Sequence, residues 1–156
     1  MKTKIKKDWF GRKKSSKELH HDSKLWVSEI QLIKDEIRFL EHLLSDNYID
    51  VLAIGLHKKI EENVKQIAVQ KNMGTTLLGL INDQEKILDD LIKNDSVTGN
   101  KNFRENHKKL KKEVKAYVKK YKDIKQQIFK IVEDVMKKKE QKKLPGKEPI
   151  PKLLNK

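Results

Sequence analysis

The chain has 156 residues, 38% of them charged and 36% hydrophobic, and 37 Lys and Arg against 23 Asp and Glu give a formal net charge of +14. This length is typical of one domain with a long, thin core. The absence of cysteine excludes disulfide bonds, thiol catalysis and cysteine-ligated zinc. Period-two clusters of β-branched and aromatic residues are missing, so the sequence predicts an all-α fold.

The N-terminal segment is strongly basic. Residues 1–17 carry eight Lys and Arg and one acid, Asp8, and we expect residues 1–15 to form a flexible N-terminal arm. No apolar stretch follows the charges, so no secretory signal is expected. No apolar run in the chain is long enough for a transmembrane helix. A cytoplasmic location is therefore the default prediction.

The first helix is predicted over residues 16–45. Ser15-x-x-Glu18 matches a capping box, in which two side chains satisfy the first unpaired amides of a helix. Ser45-Asp46-Asn47 is predicted to end this helix and to cap the next one. Between them the apolar stripe consists of Leu19, Trp26, Ile30, Ile33, Ile37, Leu40 and Leu44.

The second helix is predicted over residues 49–94, with its apolar residues in one phase throughout. Gly74 and Gly79 flank Thr75-Thr76, a run of poor helix formers, which predicts a kink or local loosening there. If the helix breaks near Gly74, the alternative is an up-down bundle of four helices.

The third helix, over residues 101–141, carries the clearest pattern in the chain. Residues 94–100 form the loop before it, and Asn102-x-x-Glu105 is predicted as its capping box. Its apolar positions alternate in steps of four and three, the spacing of a coiled-coil seam: Phe103, His107, Leu110, Val114, Tyr117, Tyr121, Ile124, Ile128, Ile131 and Val135.

These stripes predict an elongated, antiparallel three-helix bundle or coiled coil over residues 16–141. Beyond it, Pro145, Pro149 and Pro151 end the helical pattern, so residues 142–156 are predicted to form an extended C-terminal tail rich in Pro and Lys. The apolar end of this tail, Ile150-Pro-Lys-Leu153-Leu154, resembles a short docking peptide.

A first helix that ends near residue 45 is too short to cover the whole bundle. Its start would reach only about position 76 of the second helix, leaving the hairpin tip at 77–118 without a third helix. The tip would then be covered by a second copy of the chain or by the Trp9-Phe10 segment. We therefore predict a homodimer whose self-association residues are Leu77, Leu80, Ile81, Leu88 and Leu91.

Metal and cofactor sites are not predicted. One Glu-x-x-His pair, Glu18 with His21, is half of what a di-iron bundle needs, and it is explained by helix capping. His42 and His57 lie on adjacent predicted helices and support only a distant alternative, a metal-binding bundle. The loop from Asn94 has EF-hand spacing but lacks the carboxylates that bind Ca²⁺.

The two basic ends are the clearest candidate binding sites. The N-terminal segment interleaves cations with Trp9 and Phe10, a combination suited to phosphates and stacked bases, or to an anionic bilayer. A solubilising role is the alternative reading of both ends. The candidate polyanion-binding residues are Lys2, Lys4, Lys6, Lys7, Trp9, Phe10, Arg12, Lys13, Lys14, Lys137, Lys138, Lys139, Lys142 and Lys143.

The sequence contains no phosphate-binding glycine loop, nucleophile elbow or catalytic triad pattern. The leading hypothesis is therefore a non-enzymatic helical scaffold or adaptor that acts through protein–protein contacts. The alternative is a protein that binds nucleic acid or another polyanion through its basic tails.

Overall fold

The computed structural model describes residues 14–95 and 100–143, the last two of these by their backbone alone. These residues form three helices, α1 (Ser16–Ala53), α2 (His57–Lys93) and α3 (Lys101–Lys143), and contain no strand. The helices pack against one another pairwise as an all-α three-helix bundle, which confirms the predicted fold class.

The start of α1 is a capping box, as the sequence predicts. The backbone N–H of Ser15 donates to Oε1 of Glu18 at 2.8 Å, and the N–H of Glu18 donates to Oγ of Ser15 at 3.2 Å. Two amides that have no partner within the helix are thereby satisfied.

The predicted end of α1 at residues 45–47 is wrong, because the helix continues to Ala53. Within it, Nδ2 of Asn47 donates to the carbonyl oxygen of Leu43 at 2.8 Å. A single turn of polar residues is compatible with the end of a helix but does not force the helix to end. Here the Asn47 side chain bonds to the backbone of α1 and does not cap a following helix.

The turn between α1 and α2 is made by residues 54–56. Gly55 has φ 78°, the left-handed conformation that a residue without Cβ adopts at little cost. Its N–H bonds to the carbonyl of Leu52, and that of Leu56 to the carbonyl of Val51, both at 3.1 Å. This pair of bonds is a Schellman motif, which satisfies the last carbonyls of the helix.

The helix α2 runs without a break through Gly74, so the four-helix alternative is wrong. Gly74 is buried, and a Cβ built on it would lie 2.7 Å from Oη of Tyr117 and 3.6 Å from Cγ2 of Ile30. The glycine therefore makes room for the Tyr117 side chain of α3. Packing between the helices outweighs the low helix propensity of glycine at this position.

The start of α3 also differs from the prediction in detail. Oδ1 of Asn100 accepts a hydrogen bond from the N–H of Phe103 at 2.8 Å, so Asn100 is the N-cap. The predicted cap at Asn102 is wrong, because that residue already lies in the first turn of the helix.

The chain divides into two compact units. The first unit contains the described residues up to Leu32 together with Met73–Val118, and the second contains Ile33–Asn72 and the described residues from Lys119 on. In the first unit a cluster of buried side chains joins Leu19, Leu88 and Phe103, with Leu91 packed against it. All three helices thus contribute to this core.

That cluster overturns the reason for expecting an uncovered hairpin tip. Because α1 ends at Ala53 and not near residue 45, its first turns lie beside Leu88 and Phe103. Of the predicted self-association residues, Leu77, Ile81 and Leu88 are buried within a single chain, Leu91 is partly buried and Leu80 is exposed. They do not form a common exposed surface, so the predicted homodimer loses the argument that motivated it.

The second unit has its own core and its own buried polar group. Ile37, Leu40, Ile60 and Ile128 are each no more than 1% exposed. Among them lies the amide of Asn63, which donates to Oε1 of Gln66 at 3.1 Å and to Oε1 of Gln127 at 3.0 Å.

Candidate functional site

The predicted polyanion-binding residues are only partly within the described chain. Lys2, Lys4, Lys6, Lys7, Trp9, Phe10, Arg12 and Lys13 lie outside it, and the side chains of Lys142 and Lys143 are not described. Two of the remaining cations are paired with acids: Nζ of Lys14 lies 2.6 Å from Oδ2 of Asp22, and Nζ of Lys139 lies 2.9 Å from Oδ2 of Asp50. Lys137 and Lys138 are exposed.

The histidines considered for metal binding are not brought into a ligand set. His21, His42 and His57 are all exposed. Over residues 14–95 and 100–143, no group of three or more His, Asp or Glu side chains converges as a metal site would require.

One histidine, His107, lies in the core of the first unit. The residue is 4% exposed, and its Nε2 lies 3.0 Å from Oδ2 of Asp22, the same oxygen that Lys14 contacts. The ring of Trp26 packs on it with centroids 4.7 Å apart, and that of Phe103 lies at 6.1 Å. The sequence predicts this residue at the seam but not its partner.

The protonation of this cluster follows from its burial. Burial lowers the pKa of His107, and this outweighs the opposing effect of the Asp22 carboxylate. Burial also raises the pKa of Asp22, but the hydrogen bonds from Lys14 and His107 prevail and hold it below its ordinary value. Nδ1 of His107 has no hydrogen-bond partner among the described residues. A neutral ring with its proton on Nε2, facing a charged Asp22, therefore fits the geometry.

The second unit carries a partly buried polar network beside its aromatic residues. Glu36 Oε1 accepts hydrogen bonds from the hydroxyl of Tyr121 at 2.5 Å and from Nζ of Lys125 at 2.9 Å. These bonds, that of Tyr121 first, lower the pKa of Glu36. Lys125 also lies 5.8 Å from the ring centroid of Phe129, which is 44% exposed.

An apolar groove of about 650 Å³ lies between α1 and α2 in the second unit, and we name it the α1–α2 groove. Each helix contributes side chains at i, i+3, i+4 and i+7, the positions that share one helix face. The lining residues are Glu41, Leu44, Ser45, Tyr48 and Ile49 of α1, and Val64, Ile67, Ala68, Lys71 and Asn72 of α2.

The floor and walls of the α1–α2 groove are mainly hydrocarbon. Leu44 and Ile67 are buried beneath it, while Tyr48, Ile49 and Val64 are 44%, 79% and 51% exposed. An ion pair closes one end, since Nζ of Lys71 lies 3.0 Å from Oε2 of Glu41. Apolar side chains this exposed, next to one another, are the usual mark of a surface that binds another apolar segment.

Sequence reasoning missed this groove because it ended the first helix too early. It assigned Ile49 to the core stripe of the second helix, whereas Ile49 is an exposed residue of α1. One sequence signal indicates the longer helix. Leu44 and Val51, both buried, are one heptad apart, and the next glycine, a residue that often ends helices, is Gly55.

A second exposed surface lies on α3 in the first unit. Lys108, Lys109, Lys111, Lys112 and Lys115 are all exposed, with one acid, Glu113, among them. Because Lys108, Lys112 and Lys115 are spaced by four and three residues, they follow one stripe of the helix. We name these five residues the α3 lysine face.

The chain matches no protein-family model, and neither curated proteins nor solved structures show a significant similarity to it. Over the described residues, none of the three helices combines the length and the apolar content that crossing a bilayer requires. Function therefore has to be inferred from the side chains and their geometry.

Proposed function

We propose that the protein is a non-enzymatic scaffold or adaptor that binds a partner protein in the α1–α2 groove. The observation that supports this is the exposed apolar lining of the groove, provided by both helices at i, i+3, i+4 and i+7. The proposal includes a cytoplasmic location. The predicted homodimer remains a separate prediction, which light scattering tests.

The geometry favours an amphipathic helix as the bound element. A groove between two antiparallel helices accepts a further helix by the same packing of ridges into grooves that holds the bundle together. Apolar residues at i, i+3 and i+7 of the partner would cover Tyr48, Ile49 and Val64. The ion pair of Glu41 and Lys71 at one end offers a carboxylate and an ammonium to polar residues at the end of that helix.

The test uses a charge placed in the groove and a matched charge outside it. Val64 lines the groove and is 51% exposed, whereas Val69 lies on the same helix, is 59% exposed and does not line it. Val64→Glu and Val69→Glu therefore make the same change at similar exposure. Melting curves of the two variants show whether either one disturbs the bundle.

Proteins captured from the source cells by the native chain are compared with those captured by each variant, and each candidate is then purified and titrated. We expect a partner whose Kd rises about tenfold or more with Val64→Glu, since a desolvated carboxylate costs more than 1.4 kcal/mol. Val69→Glu should leave the Kd unchanged. A purified complex that tolerates both charges would refute the groove as the docking site.

The second candidate function is binding of nucleic acid or another polyanion through the basic tails. The α3 lysine face favours it, because five exposed cations on one helix extend the positive charge into the described chain. Phosphate-driven binding weakens steeply with salt, whereas docking of an apolar segment depends little on salt.

This alternative is tested by binding to nonspecific duplex DNA at two or more salt concentrations. We expect a chain without residues 1–15 and 143–156 to keep its fold, less stable by about 1 kcal/mol because the Ser15 cap is lost, and to lose most of its DNA binding. Should that trimmed chain bind as before, the α3 lysine face is the site, and Lys108→Gln with Lys112→Gln and Lys115→Gln should then remove the binding. DNA binding that is absent in the native chain excludes both surfaces.

A further inference from the structure

We propose that the chain's own C-terminal segment, residues 150–154 (Ile-Pro-Lys-Leu-Leu), occupies the α1–α2 groove when no partner is bound. The inference rests on the proposed function, since the same groove is the docking site, and it adds regulation: a partner must displace the segment. Residues 144–156 lie outside the described chain. The described chain ends with α3 at Lys143.

The last turns of α3 lie beside the turn that joins α1 to α2. Nζ of Lys139 is 2.9 Å from Oδ2 of Asp50, three residues before the end of α1. Lys137, Lys138 and Gln141 line one surface depression together with Ile54 and Leu56, two residues of that turn. The chain therefore leaves the bundle at Lys143 close to this turn.

The α1–α2 groove begins close to the same turn. Tyr48 is five residues before Ala53, about 7 Å along the helix axis, and the groove continues about 10 Å further to Glu41. Residues 144–149 can span up to about 20 Å, which brings Ile150 to the near end of the groove. Extended, residues 150–154 cover about 16 Å, enough to fill its length.

The chemistry of the segment fits the lining. Ile150, Leu153 and Leu154 are apolar, as are Leu44, Ile49 and Val64 of the groove. Burying several such side chains on both sides recovers hydrophobic free energy that exposed groove residues forgo. Pro149 and Pro151 restrict the backbone of the segment before it binds, which lowers the entropy lost on docking.

The attachment to α3 strengthens the contact further. A segment tethered next to its site is held at a millimolar effective concentration by a short linker. A weak contact of a few apolar side chains then suffices to keep the groove occupied. A partner helix that covers the whole groove would compete against this concentration and would bind more tightly to a chain that lacks the segment.

The test uses a spin label, which the cysteine-free chain can carry at a single chosen position. Asn155→Cys with a nitroxide is prepared in the full-length chain, uniformly labelled with ¹⁵N. We expect the amide signals of Tyr48, Val64 and Ala68 to lose most of their intensity, and those of α1 around Val27 in the first unit to keep theirs. Val64→Glu should restore the groove signals, and Val69→Glu should not.

A second variant covers the case in which a charge at position 64 disturbs α2. Leu153→Asp with Leu154→Asp changes only the segment and should also restore the signals. Equal signal loss along the whole chain, or none at the groove, would overturn the proposal. The segment of a second copy could also fill the groove. A mixture of spin-labelled ¹⁴N chain and unlabelled ¹⁵N chain detects this case, because broadening of the groove signals in that mixture can come only from another copy.

The two proposals fail in different ways. Broadening at the groove with no partner sensitive to Val64→Glu would leave the segment in the groove and remove the adaptor function. A partner that is lost with Val64→Glu, together with no broadening at the groove, would keep the adaptor function and remove the segment from the groove. If both hold, removing residues 144–156 should lower the Kd of the partner by about tenfold, equivalent to about 1.4 kcal/mol.

Discussion

The two compact units each bury a polar side chain at a seam position, but the side chains differ in kind. The first unit buries His107, which pairs with Asp22, and the second buries the amide of Asn63, which pairs with Gln127. An amide keeps its charge state at any pH, whereas an imidazole changes it near neutrality. Similar packing therefore gives one unit an acid-sensitive core position and gives the other a neutral one.

The contrast between His107 and Asn63 is a property of the single chain only if the first unit buries its core without a second copy. Leu88 is 1% exposed against Leu19 and Phe103, while Leu80, on the same helix, is 42% exposed. We expect Leu88→Ala to lower the free energy of unfolding by about 2–5 kcal/mol because it leaves a cavity, and Leu80→Ala to change it by less than about 0.5 kcal/mol. Urea denaturation measures both.

Light scattering of the same samples completes this experiment. A native chain that dimerises, and whose dimer is lost with Leu80→Ala or Leu88→Ala, would restore the predicted self-association surface. A native monomer with the expected pair of stabilities would confirm that the core closes within one chain.

The second prediction compares the two glycines of α2 in the first unit. A Cβ at Gly74 would lie 2.7 Å from Oη of Tyr117, whereas a Cβ at Gly79 meets nothing within 4 Å. We expect Gly74→Ala to destabilise the protein by about 1–3 kcal/mol through overpacking. Gly79→Ala should stabilise it by about 0.5–1 kcal/mol, since alanine is the better helix former.

Thermal unfolding shows whether each of the two variants is less or more stable than the native chain. If Gly74→Ala also raises Tm, Tyr117 yields without cost and the glycine does not serve its packing. Restoring Gly74→Ala by Tyr117→Phe, which removes the oxygen nearest to the new methyl group, would identify the clash as the cause.

The third prediction converts the contrast between the units into a pH dependence. The pKa of His107 is lower in the folded chain than its ordinary 6.5, chiefly because of burial. The unfolded chain therefore binds more protons as the pH falls below about 6.5, so stability is full above that pH and is lost as the pH falls through the folded pKa. The lowered pKa of Asp22 acts in the same direction at pH values below 3.8.

Two substitutions test this pH dependence of stability, one by removing the buried histidine of the first unit and the other by placing a histidine in the second unit. His107→Gln, whose amide can still donate to Asp22, should make the loss of stability between pH 7 and about 5 shallower. Asn63→His should make it steeper, because the new ring is buried in the second unit. Urea denaturation across this pH range compares each variant with the native chain, and the other histidines cancel in the difference. Equal pH slopes in the native chain and His107→Gln would contradict the assignment.

The smallest expected effect concerns the end of α3 in the second unit. Lys139 and Asp50 form an ion pair whose side chains are 57% and 40% exposed. Pairs this exposed contribute about 0.2–1 kcal/mol, so Lys139→Ala should lower stability by no more than that. A double-mutant cycle with Asp50→Ala at low salt measures the coupling, and a value of zero or one well above 1 kcal/mol would contradict this prediction.

The seam of the bundle could be predicted from the sequence because helical periodicity reports burial directly. Every position of the repeat from Phe103 to Val135 is buried, and the capping box of Ser15 and Glu18 is formed as expected. The end of α1 could not be predicted in the same way. Polar residues at 45–47 are compatible with a loop and with a solvated helix face, and only a left-handed glycine distinguishes the two.

The candidate site depended on that one boundary. With α1 ending near residue 45, Tyr48 and Ile49 fall outside it, and no groove can be constructed from the pattern. The partner of His107 was missed for a different reason, since a seam histidine predicts burial but its contact with Asp22, 85 residues away, is set by packing. Local patterns thus predicted the elements, and contacts across helices determined the sites.

The turn at Gly55 also constrains how the length of this protein can change in evolution. Its two backbone bonds fix the offset between α1 and α2, so a residue inserted into one helix rotates everything beyond it by about 100°. The buried stripe of the second unit would then face solvent. Insertions or deletions should therefore be tolerated best as whole heptads, added or removed on both sides of the turn together, because these keep the buried stripe in phase.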